Sequence, residues 1–322
     1  MLTEQKTGPT GASASSAGLL IDTDVMFSDR KGRYSKRVEK RRTKLLRKLG
    51  FIRRFLDPGE RVLLVTPGCS PFSTVEQMTI GALWVILLKR AVFVFTDKRM
   101  LHIPTKTDFT YRGSIAQVLY RDCRLYVKGS HLMAEYGDGS QERFSAIPRA
   151  DRAILKQLPI GSDGSENPSE SPRRNHLCPI CAQVLARDTA NCPSCGLEFK
   201  TKAKGLKYSL LIPGGGYFYA NHPLIGAGDA LTEAYLGLLM LAALAAGLLG
   251  EPGGLVAAGF VAVILALEKL ITVYHSNSFL NEFLPVDLKS ILKAQHTPPA
   301  TAPAESVSEE ERPPVEQVLS VR

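Results

Sequence analysis

Four cysteines, Cys178, Cys181, Cys192 and Cys195, stand as CPIC and CPSCG pairs separated by ten residues, and their type and spacing describe a metal site. Two residues between ligands let one tight turn aim two thiolates at a single ion, and a second pair completes a tetrahedral shell, the pattern of structural Zn2+. The proline after the first cysteine of each pair sets φ, and Gly196 gives a permissive backbone at the exit of the second turn. Four thiolates fill the shell and leave no position for a catalytic water. Disulfides or a redox dithiol are the competing readings. No charged start with an apolar stretch and small-residue cleavage site opens the chain, and the polar segment 1–29 is expected to be disordered. The site is therefore expected to face the reducing cytosol, where metal is favoured over disulfide. His176 lies nearby but is redundant as a ligand.

On this doubled CPxC spacing, Leu177 to Lys200 resembles the zinc ribbons. A ribbon over 175–200 has almost no core, so metal binding should supply its folding free energy, about 10 kcal/mol or more. Cys69 and Cys123 have no spaced partner and read as ordinary residues of the 57–160 domain.

What positions this site is read from charge and hydropathy along the chain. Residues 30–56 hold thirteen Lys and Arg against one acid, Glu39, in a chain whose total charge is +9, so the remainder is net negative. Leu45, Leu46, Leu49, Ile52 and Phe55 recur between the basic residues without a proline, which predicts a basic amphipathic helix. Such a helix binds anionic lipid, binds nucleic acid, or lies against a neighbouring domain. Lys40, Arg41, Arg42, Lys44, Arg47, Lys48, Arg53 and Arg54 are the candidate contacts to lipid or another polyanion.

Two apolar runs, Leu231 to Leu249 and Gly254 to Tyr274, flank Gly250-Glu251-Pro252-Gly253. Each is long enough to cross a hydrocarbon core of about 30 Å, and the punctuation makes a turn, so 230–275 is expected to be a transmembrane helical hairpin. Ala242, Ala246 and Gly250, with Ala258, Ala262 and Ala266, offer small-residue faces for close helix contact. Lysines flank both outer ends and only Glu251 lies in the turn, which places both termini in the cytoplasm and the chain in the inner membrane as a two-pass protein. Glu233 and Glu268 are expected near the cytoplasmic interface, with Lys269 as partner. Segment 201–229 carries Pro213-Gly214-Gly215-Gly216-Tyr217-Phe218-Tyr219, and from Leu210 to Tyr274 the chain resembles bacterial TM2-type small membrane domains. No Gly-Lys-Ser/Thr follows these glycines, so a phosphate loop is not expected, and the aromatics fit an interfacial anchor.

Between basic helix and ribbon, 57–160 reads as short strands with a closing helix from Arg149 to Gln157. Trp84 to Leu88 and Ala91 to Thr96 are expected as two strands joined at Lys89-Arg90, since two charges at bilayer depth argue against a third span. The phrases DPGERVLL, FVFTDKRMLHI and IAQVLY resemble bacterial PH-like and GRAM-like domains. That resemblance implies an antiparallel split barrel with a C-terminal helix and a binding rather than catalytic role, with Lys89, Arg90, Lys98 and Arg99 as candidate phosphate contacts. The segment 161–174 is expected to be a flexible linker, 276–294 an interfacial helix and 295–322 a disordered tail.

The whole is expected to be a multidomain, non-enzymatic membrane scaffold. No Ser/His/Asp elbow, phosphate loop, open metal site or small-molecule substrate site is evident. Its expected partners are anionic membrane lipid and an unidentified cytoplasmic or membrane protein. The alternative is a membrane-tethered nucleic-acid binder, disfavoured because Arg187 is the only basic residue between the cysteine pairs.

Overall fold

The computed structural model describes residues 13–14, 19–158, 173–289 and 291. Most of the expected N-terminal disorder, the body of the 161–174 linker and the 295–322 tail lie outside these residues. Within the segment expected to be disordered, however, 19–29 is folded. Apolar Leu19, Ile21 and Met26 are buried in the core, which explains why a polar-looking terminus is ordered there.

In chain order the elements are β1 (Ser13–Ala14), β2 (Leu20–Ile21), α1 (Thr23–Met26) and α2 (Lys36–Lys48), followed by a 3-10 turn, Gly50–Phe55. Then come β3 (Arg61–Cys69), α3 (Thr74–Ile80), α4 (Ala82–Leu88), β4 (Arg90–Thr96), β5 (Arg99–Pro104) and β6 (Ile115–Leu119). The strands β7 (Cys123–Lys128), β8 (His131–Tyr136) and β9 (Gln141–Phe144) precede α5 (Arg149–Leu155) and β10 (Asn175–Leu177). Four helices finish the described chain: α6 (Lys202–Leu211), α7 (Gly215–Tyr219), α8 (Pro223–Leu248) and α9 (Gly254–Leu280).

The strands form a seven-stranded sheet, β1-β2-β3-β4-β5-β6-β10, and a three-stranded meander, β7-β8-β9. All neighbours are antiparallel except β2 and β3. Neither sheet closes on itself among the described residues, so the architecture is two packed sheets. Alternation along β4 shows why the large sheet needs cover on both faces. Phe93 and Phe95 point toward the meander and α5, whereas Val92 and Val94 point toward α2 and the 3-10 turn. A sheet buried on both sides reads as nearly continuous apolar sequence, as RAVFVFT does.

The basic helix is shorter than expected, and its apolar stripe is already used: Leu45, Leu46, Leu49, Ile52 and Phe55 are buried against the sheet. One of its candidate lipid contacts is also consumed. Arg42 is 1% exposed, donates to Asp151 of α5 at 2.6 Å and also to the Met26 carbonyl; Asp151 in turn accepts from Thr66 of β3 at 2.6 Å. A guanidinium so enclosed has no face left for a headgroup, which corrects the assignment of Arg42 as a lipid contact.

Residues 84–88 are helical, not a strand. Ser73 and Glu76 form a reciprocal capping box at the start of α3, and Gly81, at φ 86°, turns the chain into α4. The short apolar run lacks the alternation that separates a strand from a helix. The expected interfacial helix over 276–294 is also corrected, because α9 continues to Leu280 and Phe279, Leu280 and Leu284 are buried.

Helices α8 and α9 are long and apolar enough to cross a membrane, and few of their side chains are buried in the fold. They come close together at Gly247 and Gly254, where a Cβ on Gly254 would lie 2.3 Å from the Gly247 nitrogen. That contact lies one position round from the expected Ala242, Ala246 and Gly250 stripe. Ala258 is buried in the pair, while Ala262 and Ala266 face outward. The glycines of PGGGYFY serve packing: a Cβ on Gly216 would lie 2.1 Å from the Ser209 hydroxyl. Tyr217 is buried and shares a 2.7 Å hydrogen bond with His275, so it knits α7 to α9, leaving Phe218 as the exposed aromatic.

The buried pair yields a stability test. Replacing Asp151 by Ala strands the Arg42 charge, which costs about 3–5 kcal/mol, whereas the double substitution Arg42→Met with Asp151→Leu recovers most of that loss. Thermal unfolding of the three proteins in one detergent measures it.

Candidate metal centre

The structure brings Cys178, Cys181, Cys192 and Cys195 together, with their sulfurs within 4.8 Å of one another. Cys178 and Cys195 Sγ lie 3.5 Å apart, as do those of Cys181 and Cys192. A disulfide needs about 2.05 Å. A regular tetrahedron with metal–sulfur bonds of about 2.3 Å has edges of about 3.8 Å, so the quartet fits a thiolate-bound ion.

Two matching turns build the site. Cys178 N–H donates to Gln183 O at 2.8 Å and Ala182 N–H to Cys178 O at 3.0 Å; Cys192 N–H donates to Leu197 O at 2.8 Å and Gly196 N–H to Cys192 O at 2.9 Å. Ala182 and Gly196 occupy the same place in each turn, both at positive φ, 59° and 72°. The Cys192 sulfur accepts from the N–H groups of Cys195 and Ser194. Burial would raise this thiol, but these donors and its sulfur neighbours bring it down to about 7. Such bonds orient thiolates and offset their charge. Cys69 and Cys123 lie elsewhere, and burial pushes them up to about 11 and about 12, the behaviour of inert core thiols.

The metal unit is not on a leash. β10 adds its Asn175, His176 and Leu177 to the edge of the large sheet opposite Gln117, Ala116 and Ile115 of β6. On its other side Lys200 N–H donates to Leu284 O at 2.8 Å and Val286 N–H to Glu198 O at 3.0 Å, while Phe199 packs edge-on to Phe283. His176 stacks near Phe283 rather than joining the ligand set.

A buried charge cluster lies beside this docking. Arg174, placed by sequence in the linker, donates to Glu282 at 2.8 Å, lies 3.6 Å from Glu142 of β9, and donates to Nδ1 of His102 in β5 at 3.2 Å. Because Nδ1 accepts, neutral His102 carries its proton on Nε2, which donates to the Ser70 hydroxyl at 2.8 Å. Burial, then the Arg174 charge, holds His102 well below its ordinary value. Burial would raise Glu282, but Arg174 foremost outweighs it and holds that carboxyl at about 2. Sequence offered no signal for this cluster, since its members come from segments with no shared motif.

The other candidates divide. Lys40, Arg41, Lys44, Arg47, Lys48, Arg53 and Arg54 are exposed, so the basic face is presented, although Arg41 reaches Asp151 and Lys48 the Asp108 carbonyl. Lys89 is buried, 3.0 Å from Glu76 and bonded to Ser278 at 2.9 Å, while Arg99 pairs with Glu60 at 2.6 Å; neither is a free phosphate contact. Arg90 and Lys98 lie toward solvent. Lys269 pairs with Glu233 and donates to the Ser209 carbonyl at 2.9 Å, while Glu268 shares the Thr272 hydroxyl with Asp229, an acid that no sequence motif marks.

No protein-family model matches the chain, and neither a curated protein nor a solved structure is significantly similar to it.

Purified full-length protein is expected to carry one Zn2+ per chain by elemental analysis. Cys178→Ser or Cys192→Ser abolishes this, and because the ribbon is clamped on two sides, metal loss also exposes the β6 edge to amide exchange. A second expectation concerns acid. His102 is neutral in the fold, so the unfolded chain takes up a proton that the folded one refuses, and stability falls as pH drops below about 6.5. Glu282, depressed in the fold, adds a second loss only below about pH 4.3. Thermal midpoints from about pH 7 to about 5 should therefore fall less steeply for His102→Gln than for the parent chain.

Proposed function

We propose that this chain is a non-enzymatic membrane scaffold, anchored by the α8–α9 hairpin with both termini in the cytoplasm, that displays a PH-like two-sheet domain and a zinc ribbon as binding surfaces. The observation that carries this reading is the hairpin itself: two long apolar helices, mostly exposed in the fold, with their outer ends packed into the soluble unit. Water would not tolerate so much contiguous apolar surface, whereas a bilayer requires it. The resemblance to TM2-type hairpins and the lysine bias of the outer flanks support the same orientation.

The chemistry of the metal centre favours display over catalysis, since four thiolates close the shell around a structural ion. The seven exposed candidates, Lys40, Arg41, Lys44, Arg47, Lys48, Arg53 and Arg54, supply the anionic-lipid contact, each worth about 1 kcal/mol near a charged membrane surface. This contact is electrostatic only, because the apolar stripe of α2 is spent on the sheet. Nucleic acid is the weaker partner, since the ribbon surface between the cysteine pairs carries Arg187 alone.

Expressed in bacteria, the full chain should remain in the membrane pellet after alkaline carbonate. Reporters fused at either end should be active only as cytoplasmic fusions, and one inserted between Gly250 and Gly253 only as an exported fusion. Release by carbonate, or a terminus on the far side, contradicts the proposal.

A further inference from the structure

The foot of the hairpin holds a cavity of about 450 Å3 between the large sheet, α4 and the first turn of α8. That volume falls in the range of about 300–1,000 Å3 typical of small-ligand sites. Its wall is mostly apolar, with Trp84, Leu87, Leu224, Phe279 and Leu288 among the lining side chains. Its cations are less ordinary. Arg90, Lys106 and Arg112 line the cavity, and none of them has a carboxylate within 4.0 Å among the described residues.

Arg112 carries the argument. Its guanidinium is half-buried, donates to the Leu88 carbonyl at 2.8 Å and lies 3.4 Å from Nε2 of buried His222. Burial draws it down to about 10, against the opposing charge of Glu282. Glu282 also lines the cavity, but its carboxylate is bonded to Arg174 at 2.8 Å and lies beyond ion-pair distance of Arg112. A guanidinium taken out of water without a counter-ion is costly, and a bidentate oxyanion is the partner its geometry fits. Arg90, held by the Thr107 carbonyl and the Phe109 ring, and exposed Lys106 add positive charge at the mouth. The first turn of α8 adds the positive end of a 26-residue helix.

Resting on the membrane reading above, the geometry points to a specific site for one anionic phospholipid, its phosphate on Arg112 and one acyl chain against the apolar wall. The membrane is the source because the cavity opens at the start of the apolar hairpin. Trp84 and Leu224 line it and are 48% and 74% exposed at that level. A soluble anion would leave this apolar wall wet.

Trp84 is the sole tryptophan of the chain and reports directly on occupancy. Full-length protein is placed in phosphatidylcholine nanodiscs containing a small fraction of phosphatidylglycerol with brominated acyl chains, and Trp84 quenching is followed as that fraction rises. Saturable quenching is expected, with brominated phosphatidylcholine far less effective. Arg112→Gln should raise the half-saturating fraction about tenfold, the size of one lost charge-assisted hydrogen bond. Lys106→Glu, at an exposed position that folding does not need, should shift it in the same direction, and Lys128→Gln, exposed on the meander away from the cavity and from α2, should not. Equal quenching by both lipids, an unchanged Lys106→Glu curve, or displacement by inorganic phosphate would overturn the lipid site. A chain that does not enter nanodiscs at all fails the membrane reading instead.

Discussion

Arg174 is the charge on which the arrangement of this molecule turns. It immediately precedes β10, the strand that leads into the cysteine turns, and its guanidinium meets a carboxylate from the meander, a carboxylate just beyond the second apolar helix, and a histidine of the large sheet. A buried guanidinium is tolerated only when its donors are satisfied, so these four segments must arrive together. Around that point the backbone is also shared: β10 extends the sheet, and Glu198, Lys200, Leu284 and Val286 join ribbon to hairpin. Lys89, Glu76 and Ser278 make a second polar weld between α3, the α4 exit and α9. The soluble unit and the hairpin are therefore one structure rather than modules on tethers.

That rigidity alters what each part can do. A ribbon free to swing would search for partners; a ribbon clamped on two sides presents a fixed face at a fixed height above the proposed bilayer. The same holds for the basic helix. With Leu45, Leu46 and Ile52 spent on the sheet and Arg42 locked to Asp151, the helix cannot lie down in a membrane by its apolar face. Its outward cations form a charged face whose position is set by the sheet.

Legibility in the sequence followed range. The cysteine quartet was readable because CPxC turns are local, and their spacing brings the four sulfurs to metal-compatible distances. The apolar spans were readable because length alone decides whether a helix can cross hydrocarbon. Strands β4 to β9 emerged from their β-branched runs, but 84–88 did not, since a short apolar run has no periodicity to tell helix from strand. Arg42 was indistinguishable from its exposed neighbours because what selects it, Asp151, lies 109 residues away. Arg174 was hidden by a Ser/Gly/Pro-rich context that reads as linker, and 19–29 by a polar terminus whose few apolar residues happen to fit the core.

Hydrogen exchange on the full chain in nanodiscs, comparing the parent with Arg174→Met, tests the shared junction most directly. If Arg174 welds ribbon to hairpin, the amides of β10 and of residues 284–286 lose protection together while zinc content is retained. Loss confined to β10, with 284–286 as protected as before, would contradict a common junction and return the ribbon to an independent unit.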